Sequence, residues 1–388
     1  MNIHFNTPEG TRDRLFAECL ERRQVQSALV DLFRRRGYAE VITPEVEFYD
    51  LFVHSGSPLP QETMLKIIDR SGKIMVMRPD TTTPIARLAA TKLKTLPLPQ
   101  RLYYDQTVFR SGNAHEGGSS EIAQCGVEML GATGMKADLE MITLAVDALR
   151  ACGLSEFHIE VGHVGFYQDL ASRMNMSQEE QERMRLLIEG KNYAVLNDFL
   201  EPYSAQPDCA ALRRLPYLFG GAEVLEEART LAGACTSLDY LELLYRELCQ
   251  AGYGDWVQFD LGLVHQIDYY TGVVFRGYAN GAGAPVLSGG RYDNLVELFG
   301  RRAEATGFAV DVDAVGGCLE VEVPQLRTVI HYESGLLGRA LEVMDRLPAG
   351  TCELSPCRTL SSTMNLACEK GALQVLCLDN SGERWLEV

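Results

Sequence analysis

Three sets of residues could carry chemistry, and each can be tested on spacing alone. Eleven cysteines run from Cys19 to Cys377 without a Cys-x-x-Cys, and the closest pair is Cys352 and Cys357. A zinc site needs tighter clustering of ligands, so this spacing points to buried free thiols in a reducing cytoplasm. The segment Ser111–Glu121 is glycine-rich, with Gly112, Gly117 and Gly118. Backbone N–H groups of such a loop can cradle phosphate, but usually where the loop opens a helix. This one joins two expected strands. It is also short of cations: no Lys or Arg occurs from Ser111 to Glu128, or between Ala303 and Leu326. The third set is polar and aromatic: Asp80, Thr82, Arg110, Gln124, Glu128, His265, Tyr269 and Tyr270. Taken singly, Glu128 reads as a solvent-facing strand residue and Tyr269-Tyr270 as core plus edge.

Composition narrows the classes. The chain has 388 residues, 46% hydrophobic and 23% charged, enough for two or three soluble domains. Lys and Arg number 36 against 53 Asp and Glu, a net charge of −17. An acidic surface repels phosphate backbones and weighs against broad nucleic-acid binding. The N-terminus shows no basic segment followed by an apolar run, and no stretch approaches a membrane span. A cytoplasmic protein without metal or cofactor is expected.

The elements that must position these residues follow from periodicity. Val25, Leu29, Leu32 and Phe33 form one apolar stripe, predicting a helix from Arg14 to Arg36 with Asp13 as its cap and Gly37 ending it. An extended segment Tyr38–Thr43 runs to Pro44, and a hairpin joins Met64–Asp69 to Lys73–Arg78. Thr83–Ala90 reads as a short helix, Leu102–Phe109 and Ile122–Leu130 as strands, Gly134–Cys152 as a helix and Phe157–Val161 as a strand. Residues 165–255 read as mostly helical, with a capping box at Ser177 and Glu180. Strands return at Val257–Leu263, Gly272–Tyr278, Pro285–Leu287 and Thr306–Val312, with a helix expected at Tyr292–Phe299. Consecutive strands with short turns predict an α+β fold, an antiparallel sheet flanked by helices. A boundary is expected near 320–321. The tail, 321–388, is expected to be a small α/β domain with six basic against nine acidic residues.

Seven segments in order resemble the histidyl-tRNA synthetase branch of the class II aminoacyl-tRNA synthetases. They are Thr7–Asp13, Gly37-Tyr38 through Thr43-Pro44-Glu45, and Arg78-Pro79-Asp80-Thr81-Thr82-Thr83. Phe109-Arg110 with Gln124-Cys125-Gly126-Val127-Glu128 follows, then Leu263–Gly272, Ser288–Asp293 and Gly307-Phe308-Ala309. The resemblance implies a pocket for free histidine. Asp80, Thr82 and Gln124 would receive the ammonium, Arg110 and the position of His265 the carboxylate, and Glu128 with Tyr269 or Tyr270 the imidazole.

The departures from that family are as informative. The synthetases hold ATP phosphates with arginines in the motif 2 loop and at the end of motif 3. Here the loop has none, and Gly307-Phe308-Ala309-Val310-Asp311-Val312-Asp313-Ala314 puts Ala314 at the motif 3 arginine and Asp311 at a usual glycine. His265 stands where the family has an arginine that activates the carboxylate. The tail is shorter than the anticodon-binding domain and offers no match to it by sequence. An amino-acid half that survives and a nucleotide half that does not is the pattern of the regulatory subunits of ATP phosphoribosyltransferase, catalytically silent relatives of histidyl-tRNA synthetase. That resemblance implies a homodimer core bound to short-form catalytic subunits, feedback by L-histidine in the first step of histidine biosynthesis, and no tRNA or membrane partner. A divergent histidine–tRNA ligase, another ATP-dependent histidine ligase, or an amino-acid-binding module with an unrelated partner are the alternatives.

Overall fold

The structure is a computed structural model describing residues 6–54, 60–111, 119–264 and 270–388. His265, Tyr269 and most of the glycine-rich loop lie outside the described residues. The chain divides into two compact units, Met1–Glu320 and Val321–Val388.

The larger unit is built on a nine-stranded mixed sheet. Across it run β1 (Ala39–Glu40), β5 (Gln100–Phe109), β6 (Glu121–Leu130), β12 (Ala305–Asp311), β11 (Leu287–Arg291), β10 (Val273–Ala279), β7 (Phe157–His163), β9 (Val257–Asp260) and β8 (Phe219–Gly220). The centre is antiparallel, as the short connections predict. The pairs β1–β5 and β7–β9 are parallel, because longer connections return those chains in the same sense. A second sheet, β2 (Val46–Phe48), β4 (Ile74–Met77) and β3 (Lys66–Ile68), contains the expected hairpin.

Alternation sends one side chain in two to each face of the large sheet. Cys125, Val127, Phe308, Phe275, Val161 and their neighbours form the main core with α1 (Ala17–Arg35) and α4 (Met135–Ala151). The opposite face is polar and rich in glycine, and α3 (Thr82–Ala90) covers one end of it through Ile85, Ala86 and Ala89. Beyond α2 (Tyr49–His54), the helical segment comprises α5 (Val164–Arg173), α6 (Gln178–Glu189), α7 (Tyr193–Leu200), α8 (Cys209–Arg214), α9 (Glu223–Ala232) and α10 (Thr236–Gln250). Both reciprocal bonds of the Ser177–Glu180 capping box are present. The smaller unit, after α11 (Val312–Gly316), has a four-stranded sheet in the order β14 (Cys352–Leu354), β13 (Thr328–Tyr332), β15 (Gln374–Asp379), β16 (Gly382–Glu387), with α12 (Leu337–Met344) and α13 (Leu360–Glu369).

Three local expectations are corrected. The first helix starts at Ala17, not Arg14, and Asp13 does not cap it. Phe16 takes a positive φ of 46°, and Arg14 is drawn instead to Asp313 at 2.8 Å. Residues 292–299 turn rather than form an α-helix, with a 3-10 turn at Glu297–Phe299 only. The Asp293 carboxylate accepts from Thr271 Oγ1, Arg291 Nη1 and the Ala305 backbone N–H, and those bonds hold the segment out of helical geometry. The eleven cysteines are free thiols, but Cys19, Cys249 and Cys368 are exposed rather than buried.

One buried ion pair fastens α4 to the sheet. Arg291 donates to Asp138 at 2.7 Å, and both side chains are under 10% exposed. Removing one partner leaves the other charge buried, which typically costs about 3–5 kcal/mol. Asp138→Ala should therefore lower the unfolding free energy in urea by about 3 kcal/mol or more. A loss of a few tenths would mean the pair does not anchor the helix.

Candidate functional site

Strand register builds the site. On the polar face, Glu128 of β6 stands opposite Gly307 of β12, which stands opposite Gly290 of β11. In the next row, Tyr104 stands opposite Gly126, followed by Ala309, Ser288 and Arg276. These glycines are required by contact rather than by turns. A Cβ on Gly307 would lie 1.9 Å from Glu128 Oε2, and one on Gly126 would lie 2.6 Å from the Tyr104 hydroxyl. A Cβ on Gly290 would meet the Tyr270 ring at 2.8 Å. The bare backbone lets Glu128, Tyr104 and Tyr270 lie across the sheet.

Glu128 is the centre of this arrangement. It is 2% exposed. Thr82 Oγ1 donates to its Oε1 at 2.7 Å, and the Tyr292 hydroxyl donates to Oε2. Among the described residues no ion pair involves it. Burial pushes its carboxyl up to about 7, the two hydroxyl donors pull it down, and the Asp80 charge pushes it up again. Asp80 sits at the start of α3, where its Oδ1 accepts from Thr83 N at 2.7 Å. Burial raises its carboxyl too, against the backbone bond from Thr83 and the Arg110 charge. Burial and the Glu128 carboxylate likewise push the Tyr270 phenol up.

The structure therefore brings Asp80, Thr82, Glu128 and Tyr270 together. Arg110 joins them less directly. Its Nε donates to Pro79 O at 2.7 Å, which sets the guanidinium beside Asp80. Gln124 lies four residues along β6 from Glu128, opposite Gln106 and Asp311. His265 and Tyr269 fall outside the described residues. Sequence reasoning missed Tyr104, Tyr292 and Arg276 as cleft residues. Glycines two residues apart from Glu128 and Ala309 on their strands were the available signal.

The far end of the cleft has a different character. Asp311 caps α11, its Oδ1 accepting from Asp313 N and Ala314 N. That explains a carboxylate where the synthetases have glycine. Arg14 is engaged by Asp313. Arg78 is buried and spans three backbone carbonyls, Thr43 O, Pro44 O and Thr107 O, so it fastens loops rather than facing the cleft. Arg14 and Arg78 are thus committed to structural bonds, and the loop 112–118 contains no Lys or Arg. One buried and one half-buried carboxylate with hydroxyl donors suit a small cationic ligand; an end without cations in its loop does not suit a polyanion.

The chain is similar to known proteins over most of its length. A family model described as histidyl-tRNA synthetase matches residues 10–315. An ATP phosphoribosyltransferase regulatory subunit from Clostridium kluyveri is 42% identical over 81% of this chain and 82% of its own. Another from Clostridium novyi is 37% identical over 96% and 92%. The chain belongs to the family of ATP phosphoribosyltransferase regulatory subunits. A crystal structure described as an ATP phosphoribosyltransferase regulatory subunit/histidyl-tRNA synthetase from Bacillus halodurans superposes with a TM-score of 0.87 at 32% identity, covering 97% of this chain and 99% of that one. Histidyl-tRNA synthetase from Nostoc sp. PCC 7120 shares the fold, with a TM-score of 0.76 at 20% identity over 100% of this chain and 97% of that one. The aligned span includes the tail, which sequence alone left unmatched.

The raised carboxyl of Glu128 has a measurable consequence. A carboxyl with a folded pKa near 7 and an ordinary value of 4.5 binds its proton more tightly when folded. Its contribution is therefore present in full below pH 4.5 and is lost as pH rises through about 7. Relative to Glu128→Gln, the wild-type protein should lose about 3 kcal/mol of unfolding free energy between pH 4.5 and 8, at 1.36 kcal/mol per unit. Parallel urea curves at every pH would place Glu128 in water.

Proposed function

We propose that this chain is the non-catalytic subunit that regulates ATP phosphoribosyltransferase by binding L-histidine in the cleft around Glu128. The observation carrying this reading is the cleft's asymmetry: carboxylates and hydroxyls at one end, no phosphate-holding cation among the described residues at the other. An imidazole, donating from one ring nitrogen and accepting at the other, suits Glu128 and a phenol, and an ammonium suits Asp80 and Thr82. Adenylation would need cations on the triphosphate, and tRNA is no part of this reading.

The partner is the short-form catalytic subunit. Histidine would bias the assembly by its differential affinity for two states, and coupling of about 1–3 kcal/mol gives strong feedback. The core is a homodimer. In support, Ile42, Phe48 and Ile68 are 79%, 54% and 73% exposed around the small sheet, an apolar surface that a second copy would cover.

Two measurements follow. Mixing the chain with a short-form catalytic subunit should confer phosphoribosyl transfer that L-histidine inhibits, and inhibition should weaken at least tenfold in Glu128→Gln. Activity indifferent to the chain would refute the assignment. Phe48→Asp combined with Ile68→Asp should sediment as a monomer where the wild type sediments as a dimer; unchanged mass would put the interface elsewhere.

A further inference from the structure

Arg276 is the one Lys or Arg that β5, β6, β12, β11, β10, β7 and β9 present on the cleft face. The register settles its direction. It pairs with Ser288 on one side and Glu160 on the other, in the row that continues through Ala309, Gly126 and Tyr104. Between Glu128 and Arg276 the two rows offer only Gly307, Gly290, Ala309 and Ser288, a floor almost without side chains apart from the overlying Tyr270 ring. Three strand spacings, about 14 Å, separate β6 from β10.

The surroundings hold Arg276 in place. It hydrogen-bonds Tyr278 on its own strand, and Tyr278 stacks on His158 at 5.6 Å between ring centres. Its charge acts on the carboxylates of Glu160 and Asp260, and on the Tyr270 phenol in the cleft. A planar guanidinium carries five N–H donors, so a group fixed along one edge can still present another. Arg110, the other arginine at the cleft, is turned by its bond to Pro79 O toward the Asp80 turn.

We propose that Arg276 holds the carboxylate of the bound amino acid. This rests on the histidine reading above and deepens it. With the imidazole at Glu128 and the ammonium at Asp80 and Thr82, both on the β6 side, the remaining charged group of the ligand points across the glycine floor toward β10. There it meets Arg276, the one Lys or Arg that these described strands place on the cleft face. The position of His265 no longer carries an arginine, and Arg276 provides the charge from the sheet. Recognition then requires all three polar groups of a free amino acid, and an analogue lacking the carboxylate is discriminated against at this residue.

The test compares L-histidine with L-histidinol, which keeps the imidazole and ammonium and replaces the carboxylate by CH2OH, by calorimetry on the full chain. Wild-type protein should bind histidine about 10- to 100-fold more tightly than histidinol, the range of a charge-assisted hydrogen bond. Arg276→Gln should bring histidine down to the histidinol level and change histidinol less than threefold. Arg276→Lys, which keeps the charge and serves also if the Gln variant fails to fold, should retain part of the discrimination and lose at least threefold in histidine affinity. An unchanged histidine-to-histidinol ratio in either variant, with histidine binding still weakened by Glu128→Gln, overturns this proposal and leaves the histidine reading standing. Absence of histidine binding to the wild-type chain overturns both.

Discussion

A carboxylate buried without a cation bonded to it is costly, and Glu128 is such a group. Among the described residues Thr82 and Tyr292 reach it, and both are hydroxyl donors. Asp80 adds a second negative group within electrostatic range. The fold supports this cost through the main core on the opposite face of the sheet and through the Arg291–Asp138 pair behind it. A bound cation or N–H donor would relieve the cost, and on the proposed reading that relief makes the cleft selective. Gly307 exists for the same reason, since any side chain there would occupy the space of the Glu128 carboxylate.

On the proposed reading, the same sheet keeps an enzyme's cleft as a sensor. At the motif 3 end, the positions that would face a nucleotide have been given structural work. Asp311 caps a short helix, Asp313 engages Arg14, and Ala314 packs against the core. None of these changes disturbs the β6–β12 pairing that carries Glu128 and Gly307. Glu128 and Asp311 sit at different rows of one sheet, so the proposed reading lets triphosphate binding be lost while amino-acid recognition persists. Membership in a family of regulatory subunits is consistent with that separation.

Much of this was legible in the residues because local rules and tertiary packing agree. The Val25–Phe33 stripe faces the core, and Ser177 caps its helix as a capping box predicts. Where they disagree, the sequence misleads. Tyr292, Leu295 and Val296 have helical spacing, yet Asp293 is committed to Arg291 and to two donors outside the segment, Thr271 and Ala305, and the segment turns. Arg14 reads as the first residue of a helix, and an aspartate almost three hundred positions away takes it. Asp80, Thr82 and Glu128 could be grouped from the family resemblance, but Arg276 could not. On its own strand it is one polar residue among alternating apolar ones; only the register across β10, β11, β12 and β6 puts it on the face with Glu128. Register is a property of pairs of strands, and no single segment encodes it.

The division of the cleft is tested most directly by ATP–pyrophosphate exchange dependent on histidine, run on the purified full chain. Without cations to hold the triphosphate, no exchange above background occurs at saturating histidine, even while histidine itself binds. Sustained exchange would mean that the nucleotide end still works, and that the chain is an active ligase rather than a sensor.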